Sequence, residues 1–163
     1  MKKPTQSIRV IIRKCVAKGV TVGCAESCTG GLIAKLLTDV SGSSAVFRGG
    51  FVTYTNEIKE ALLGVDPALI AEHTEVSYAC AEAMADGARH RLGTGVAVST
   101  TGYAGPGGGT KEDPVGTVYV AISTPEGTHC DRLSLPRGLS RAQTRMAAAR
   151  HAIALLENYV DQL

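Results

Sequence analysis

The chain has 163 residues, 44% of them hydrophobic, and a net charge of +2 from 17 basic and 15 acidic side chains. That length and apolar content suit one domain with a sizeable core, and the interspersed charges leave neither a basic stripe for nucleic acid nor a polybasic patch for a membrane. No apolar run approaches the roughly 18 residues of a membrane span, and the first residues lack a secretory-signal pattern, so the expected location is cytoplasmic.

From Thr5 to Lys18, Ile8, Ile11, Ile12, Cys15 and Val16 recur at helical spacing, and Gly19 supplies a C-terminal stop. Val20 to Ala25 reads as a first strand. The stretch Ala25-Glu26-Ser27-Cys28-Thr29-Gly30-Gly31 is then a tight turn into a helix from Gly30 to Thr38. Ser41 to Ser44 is a loop by composition, and Phe47 to Thr53 is a second strand. Its Gly49-Gly50 pair implies that a backbone or a ligand comes close.

Thr55 to Leu63 is predicted as a short helix with Ile58, Ala61 and Leu62 on its apolar face, ended by Gly64. Asp66-Pro67 opens another helical turn with Asp66 as N-cap and Pro67 at the first helical position. A longer helix spans Ser77 to Arg91, burying Ala81, Met84, Ala85 and Ala88. The continuous apolar run within Gly95 to Thr101 suits a central strand covered on both faces. Gly102 to Gly109 is too rich in glycine to be anything but a loop. Val115 to Ser123 and His129 to Leu135 form an antiparallel hairpin around Thr124 to Thr128. Ser140 to Asp161 closes the chain as a helix with Ala142, Ala149, Ala152, Ile153 and Leu156 inward.

Helices and strands interleave early and a hairpin ends the sheet, which predicts an α/β fold: a three-layer α/β/α sandwich with a mixed sheet of about five strands. Sites in such sheets gather outside the carboxyl ends of the strands. The Ser27 turn, the Tyr54-Thr55-Asn56 segment and the Gly102 loop all leave strand ends, and they converge on one cleft if their strands are parallel neighbours. The five cysteines, Cys15, Cys24, Cys28, Cys80 and Cys130, lack zinc-site spacing and read as buried thiols. His73, His90, His129 and His151 are scattered, so no metal is expected.

A turn at a helix start offers backbone N–H groups to an anion or a developing oxyanion, and its glycines admit a ligand. Ser27 and Thr29 are equally the residue types that merely cap helices. A serine nucleophile needs a base to take its proton. No histidine lies near the three loops, which leaves Lys59, one turn into the helix after Tyr54, as the best candidate base, with a solvated surface lysine as its alternative. Tyr54 is either a pocket residue or edge packing. The glycine loop is neither a Walker A sequence nor a dinucleotide fingerprint, although its exposed N–H groups suit a phosphate or a ribose. Arg145 is a candidate partner for that phosphate, in competition with Arg137 and Arg141.

The first turn, Phe51-Val52-Thr53-Tyr54-Thr55-Asn56-Glu57-Ile58-Lys59 with Leu63-Gly64-Val65, Thr101 to Gly109, and Pro114-Val115-Gly116-Thr117-Val118 together resemble the CinA C-terminal domain family, from about residue 6 to 160. Several members of that family are nicotinamide-nucleotide amidases. The resemblance implies hydrolysis of the carboxamide of nicotinamide mononucleotide (NMN) to nicotinate mononucleotide and ammonia, without cofactor or metal. It also implies the stand-alone form, since larger members carry an extra N-terminal domain. Ser27 matches the nucleophile and Lys59 its base partner. Tyr54 and Thr101 match polar residues of the same pocket. Thr29, Gly30, Gly31, Asn56, the loop glycines Gly102, Gly105, Gly107 and Gly108, and Arg145 are then the expected substrate contacts.

NMN is thus the expected partner, with neither nucleic acid nor membrane, and a homo-oligomer is compatible with a sequence that does not fix the oligomeric state. A nucleotide-binding module acting as a competence or DNA-damage accessory stands as the alternative function, and a Cys28 thiol hydrolase as a weaker one. Two departures from the family pattern stand out: Thr74-Glu75-Val76-Ser77 where Gly-Ala-Val-Ser is common, and Tyr103 where a small aliphatic residue is usual.

Overall fold

A computed structural model describes residues 4–163. Its elements are α1 (Pro4–Lys18), β1 (Val22–Glu26), α2 (Leu32–Thr38), a 3-10 turn (Ser43–Ala45), β2 (Phe47–Val52) and a short α3 (Asn56–Ile58) that continues as a π-helical segment (Lys59–Leu63). There follow α4 (Pro67–His73), α5 (Tyr78–Leu92), β3 (Val96–Gly102), β4 (Thr117–Thr124), β5 (Gly127–Ser134) and α6 (Arg141–Gln162). The five strands form one mixed sheet in the order β2-β1-β3-β4-β5. β2, β1 and β3 run parallel, while β4 and β5 pair antiparallel.

One layer of helices, α1, α2 and α6, packs through Ile8, Ile11, Ile33, Ala149 and Leu156 onto Val22, Val96 and Val98. On the other face α5 lays Met84 and Ala88 against Ala25 and Ala97, with Leu63 and Ile70 beside them. The α/β/α sandwich is therefore as the sequence predicts, and β3 is buried on both faces. Asp66 accepts from the Ala68 N–H with Pro67 at the first helical position, Ser77 caps α5 through the Cys80 N–H, and Ser140 forms a capping box with Gln143.

Several local expectations fail. Val16 is 55% exposed and Ala142 is also exposed; Thr144 and Ala148 take the inward positions instead. α2 starts at Leu32, because Gly30 and Gly31 both have positive φ and end the turn before the helix begins. The apolar face foreseen after Tyr54 is inverted: Ile58, Ala61 and Leu62 are exposed, while Lys59 and Leu63 point inward. At Gly50 a backbone does come close, the Cys24 carbonyl oxygen standing 3.5 Å from where a Cβ would be, but side chains crowd the pair as well. A Cβ on Gly50 would stand 2.5 Å from Cys24 Sγ, and one on Gly49 would stand 3.5 Å from Leu92.

Candidate active site

Because β2, β1 and β3 are parallel neighbours, their carboxyl ends open side by side. The Ser27 turn, the segment through Tyr54 and the glycine loop consequently share a cleft of about 210 Å³, walled by Ser27, Tyr54, Lys59, Thr101, Gly102, Gly105 and Gly107. A larger groove of about 530 Å³ lies elsewhere, between the β4–β5 hairpin and the end of α6. Its Thr124 and Thr128 hydroxyls are committed to the Gly127 carbonyl and to Asp86, and its His129 to Asp131, whereas the smaller cleft holds a serine hydroxyl beside a buried lysine amine.

Lys59 is 1% exposed, and its Nζ lies 3.2 Å from Ser27 Oγ and 3.1 Å from the Thr53 carbonyl, to which it donates. Burial pushes its ammonium below the ordinary lysine value, because a charge loses its hydration there; the neighbouring Cys80 and Glu75 oppose the shift. The helix changes its turn at this residue. The Lys59 N–H still bonds the Thr55 carbonyl in an α turn, after which the wider π turn runs to Leu63. Gly87 of α5 lets this segment come close, since a Cβ on it would stand 2.3 Å from the Leu63 carbonyl oxygen.

Beneath the Ser27 turn lies Glu26, 1% exposed, which the sequence does not single out. Its carboxylate accepts from Thr29 Oγ1 at 2.6 Å and from the N–H groups of Gly31, Ile33 and Ala34 at 3.1, 3.0 and 2.9 Å. The start of α2 is thereby saturated by an internal anion, and the anion-binding role expected of those N–H groups does not apply. The available signal was an acid placed just before a helix start that it can cap.

Thr29 is wholly buried, with its hydroxyl shared between Glu26 and Thr100 Oγ1 at 2.7 Å. Arg145 donates from Nε to the Cys28 carbonyl at 3.1 Å and from Nη2 to the Thr29 carbonyl at 2.7 Å, with Gly30 against its guanidinium. Thr29, Gly30, Gly31 and Arg145, the expected substrate contacts, are not among the residues that wall the cleft; Thr29 and Arg145 brace the turn that carries Ser27. Asn56 opens α3 outside the cleft wall, and Gly108 lies against the Tyr103 ring.

Arg141 is the arginine that reaches the cleft. It donates to the Gly105 carbonyl at 2.7 Å and to the Tyr54 hydroxyl at 2.8 Å, tying the glycine loop to the segment after β2. Thr101 is 1% exposed and donates to the Glu75 carbonyl at 2.6 Å. Glu75 and Tyr103, the two departures, both lie in the cleft wall. Thr74 keeps φ at +69° without the flexibility of glycine, so the turn before α5 survives the replacement. All five cysteines are buried free thiols, and burial pushes the Cys28 thiol up to about 12. Among the described residues no group of three or more His, Cys, Asp or Glu is arranged to hold a metal, and no helix is long and apolar enough to cross a membrane.

The model of the CinA C-terminal domain matches residues 5–160. A CinA-like protein of Myxococcus xanthus is 50% identical over 93% of the chain, and one of Desulfotalea psychrophila is 47% identical over 94%. The chain spans only 36% and 37% of the length of these relatives. The crystal structure of the competence/damage inducible protein CihA from Agrobacterium tumefaciens superposes with a TM-score of 0.92 at 39% identity, covering 99% of both chains. A competence damage-inducible protein A from Klebsiella pneumoniae superposes with a TM-score of 0.93 at 31% identity, covering 98% of both chains.

Proposed function

The chain belongs to the CinA C-terminal domain family, and from that premise we propose that it is an amidohydrolase that converts NMN to nicotinate mononucleotide and ammonia, using Ser27 as nucleophile and Lys59 as base. The observation that carries this reading is the 3.2 Å approach of a buried lysine amine, its proton affinity lowered by burial, to a serine hydroxyl at the mouth of a cleft. A module that only binds nucleotides has no need of that pair. A lysine held neutral is a general base, and a serine gains nucleophilicity only from such a partner.

In the proposed sequence, neutral Lys59 Nζ accepts the Ser27 proton as Oγ bonds to the carboxamide carbon, and the carbonyl π electrons move onto oxygen. The resulting oxyanion is met by the N–H of Cys28, a cleft residue whose N–H has no partner among the described residues, unlike those of Ser27, Gly30 and Gly31; Arg145 holds the Cys28 carbonyl from behind. Collapse expels the amide nitrogen, which takes the proton from Lys59 and leaves as ammonia. Water then adds to the Ser27 ester with Lys59 again accepting the proton, and the carboxylic acid departs as Ser27 recovers its own. The Thr53 carbonyl fixes one amine hydrogen and so orients the lone pair toward Ser27. The cleft volume of about 210 Å³ is below the roughly 300–1,000 Å³ of sites that engulf a drug-sized ligand, so it encloses the ring and amide and leaves the phosphate end near the rim.

Cys28 is a poor rival nucleophile, because the Lys59 amine bonds Ser27 Oγ and makes no hydrogen bond to the Cys28 sulfur, whose thiol burial pushes up to about 12. The test is ammonia release from NMN by the purified protein in the presence of a chelator. Wild type and Cys28→Ala are expected to release ammonia, whereas Ser27→Ala is expected to fall by at least a thousandfold with its fold intact. An inert wild type, or an active Ser27→Ala, overturns the reading.

A further inference from the structure

The wall of the cleft contains one carboxylate among the described residues, that of Glu75, and the proposed chemistry does not use it. Other buried or half-buried acids near the sheet are committed. Glu26 caps α2, Asp113 pairs with Arg132, and Asp131 pairs with His151. Glu75 has its backbone carbonyl engaged by Thr101, while its carboxylate makes no hydrogen bond or ion pair among the described residues. Its charge is nevertheless felt on three sides, raising the Lys59 amine, the Cys80 thiol and the Tyr103 phenol above where they would otherwise stand. The carboxylate therefore lies within Coulombic reach of all three, on a residue that lines the cleft beside Tyr103 and Lys59.

Tyr103 adds an aromatic surface to the same wall, its ring lying against Gly108, where a Cβ would come within 3.4 Å of Cδ1. A carboxylate and an aromatic ring beside one cavity are the two groups that attract an organic cation, through Coulombic and cation–π interactions. The exposed guanidinium of Arg141 stands on the side formed by Gly105 and Tyr54, so the cleft offers a negative group and a positive group to one ligand.

We propose that Glu75, with the ring of Tyr103, forms a cation subsite that selects carboxamides borne on a positively charged ring and discriminates against the same amide on a neutral ring. Glu75 is a binding and specificity residue here, outside the Ser27–Lys59 pair. The charge pattern fits a zwitterion, with a cationic ring toward Glu75 and an anionic tail toward Arg141. The inference rests on the amidase reading for the choice of ligand, but its test does not depend on turnover.

The experiment measures dissociation constants calorimetrically in a Ser27→Ala background, with and without Glu75→Gln. NMN is the cationic-ring probe, and reduced NMN, whose dihydropyridine ring is neutral, is its counterpart. The Ser27→Ala protein is expected to prefer NMN by about tenfold, and Glu75→Gln to bring the ratio close to one by weakening NMN alone. Glu75→Ala serves as a second variant with the same expectation. An unchanged ratio in both variants, or equal weakening of both ligands, overturns the proposal. Ammonia release by the protein with Ser27 intact is scored separately, so an inert protein that still shows Glu75-dependent charge preference refutes the amidase reading and leaves the subsite standing.

Discussion

Lys59 is the residue on which sequence and structure diverge most usefully. A helical reading of its neighbourhood puts Ile58, Ala61 and Leu62 inside, because apolar periodicity is the only local signal and a lysine is almost never assigned to a core. The structure instead seats a 1%-exposed lysine under the cleft and leaves those apolar side chains outside. The sign of its titration follows from burial. Its folded value lies below the ordinary 10.4 or so of the unfolded chain, and between the two the unfolded chain binds more protons. Stability arising from this group therefore increases as pH rises through that window, and below it the buried ammonium is destabilising. Turnover of NMN should rise with pH through the lowered value and then level off. Lys59→Arg, which keeps a charge that cannot leave, should be as inactive as Lys59→Ala. Lys59→Met should melt higher than wild type at neutral pH, by about 1 kcal/mol of stability, while remaining inactive. A pH–rate profile and thermal melts on these variants check all three, and substantial activity in Lys59→Arg would reduce the lysine to a fixed positive charge.

At the scale of elements, the strand-turn-helix around Ser27, the long α5 and the hairpin are legible because each carries its own punctuation: Gly30-Gly31, the Ser77 cap and Pro125-Glu126. The last is a tighter turn than the Thr124 to Thr128 expected, since Thr124 pairs with Gly127 and Ser123 with Thr128. The π-helical segment is not legible, since nothing in Lys59 to Leu63 distinguishes a wider pitch from an ordinary turn. What permits it lies on another element, at Gly87. An exposed helical glycine replaced by alanine normally gains about 1 kcal/mol from propensity. Here the added Cβ would fall 2.3 Å from the Leu63 carbonyl oxygen, a backbone atom that cannot swing aside. Gly87→Ala should consequently lose about 1–2 kcal/mol net, the propensity gain being outweighed by overpacking. It should also cut kcat by displacing the segment that carries Lys59, with a smaller effect on KM. Melting curves and steady-state kinetics decide this, and a higher melting temperature would show that the close approach of α5 does not hold the segment in place. Glu26 is partly readable in the same sense: an acid ahead of a helix start is a capping signal, but that it turns inward under Ser27 depends on Thr29 and Thr100 closing over it.

For the molecule as a whole, the cleft is assembled from three parallel strand ends and completed by α6 from the far end of the chain. The convergence is inferable from strand order, whereas the division of labour between two arginines one helical turn apart is not, because spacing places both on the same face of α6. Arg145 is spent on the carbonyls of Cys28 and Thr29, and Arg141 reaches Tyr54 and Gly105. Arg141→Ala should therefore raise KM for NMN about tenfold with kcat nearly kept, and affect the phosphate-free riboside less. Arg145→Ala should instead lower kcat for NMN and riboside alike and reduce the melting temperature. Steady-state kinetics on both substrates separate the two, and a matching rise in KM for NMN alone in Arg145→Ala would return the phosphate to that residue. The tie between Arg145 and the turn carries a further consequence for biosynthesis. It joins residues more than a hundred positions apart, so a nascent chain can pair β1, β2 and β3 while its nucleophile turn is still unsupported. On the proposed mechanism, turnover should begin only once α6 has left the ribosome and docked, so that ammonia release would report that docking.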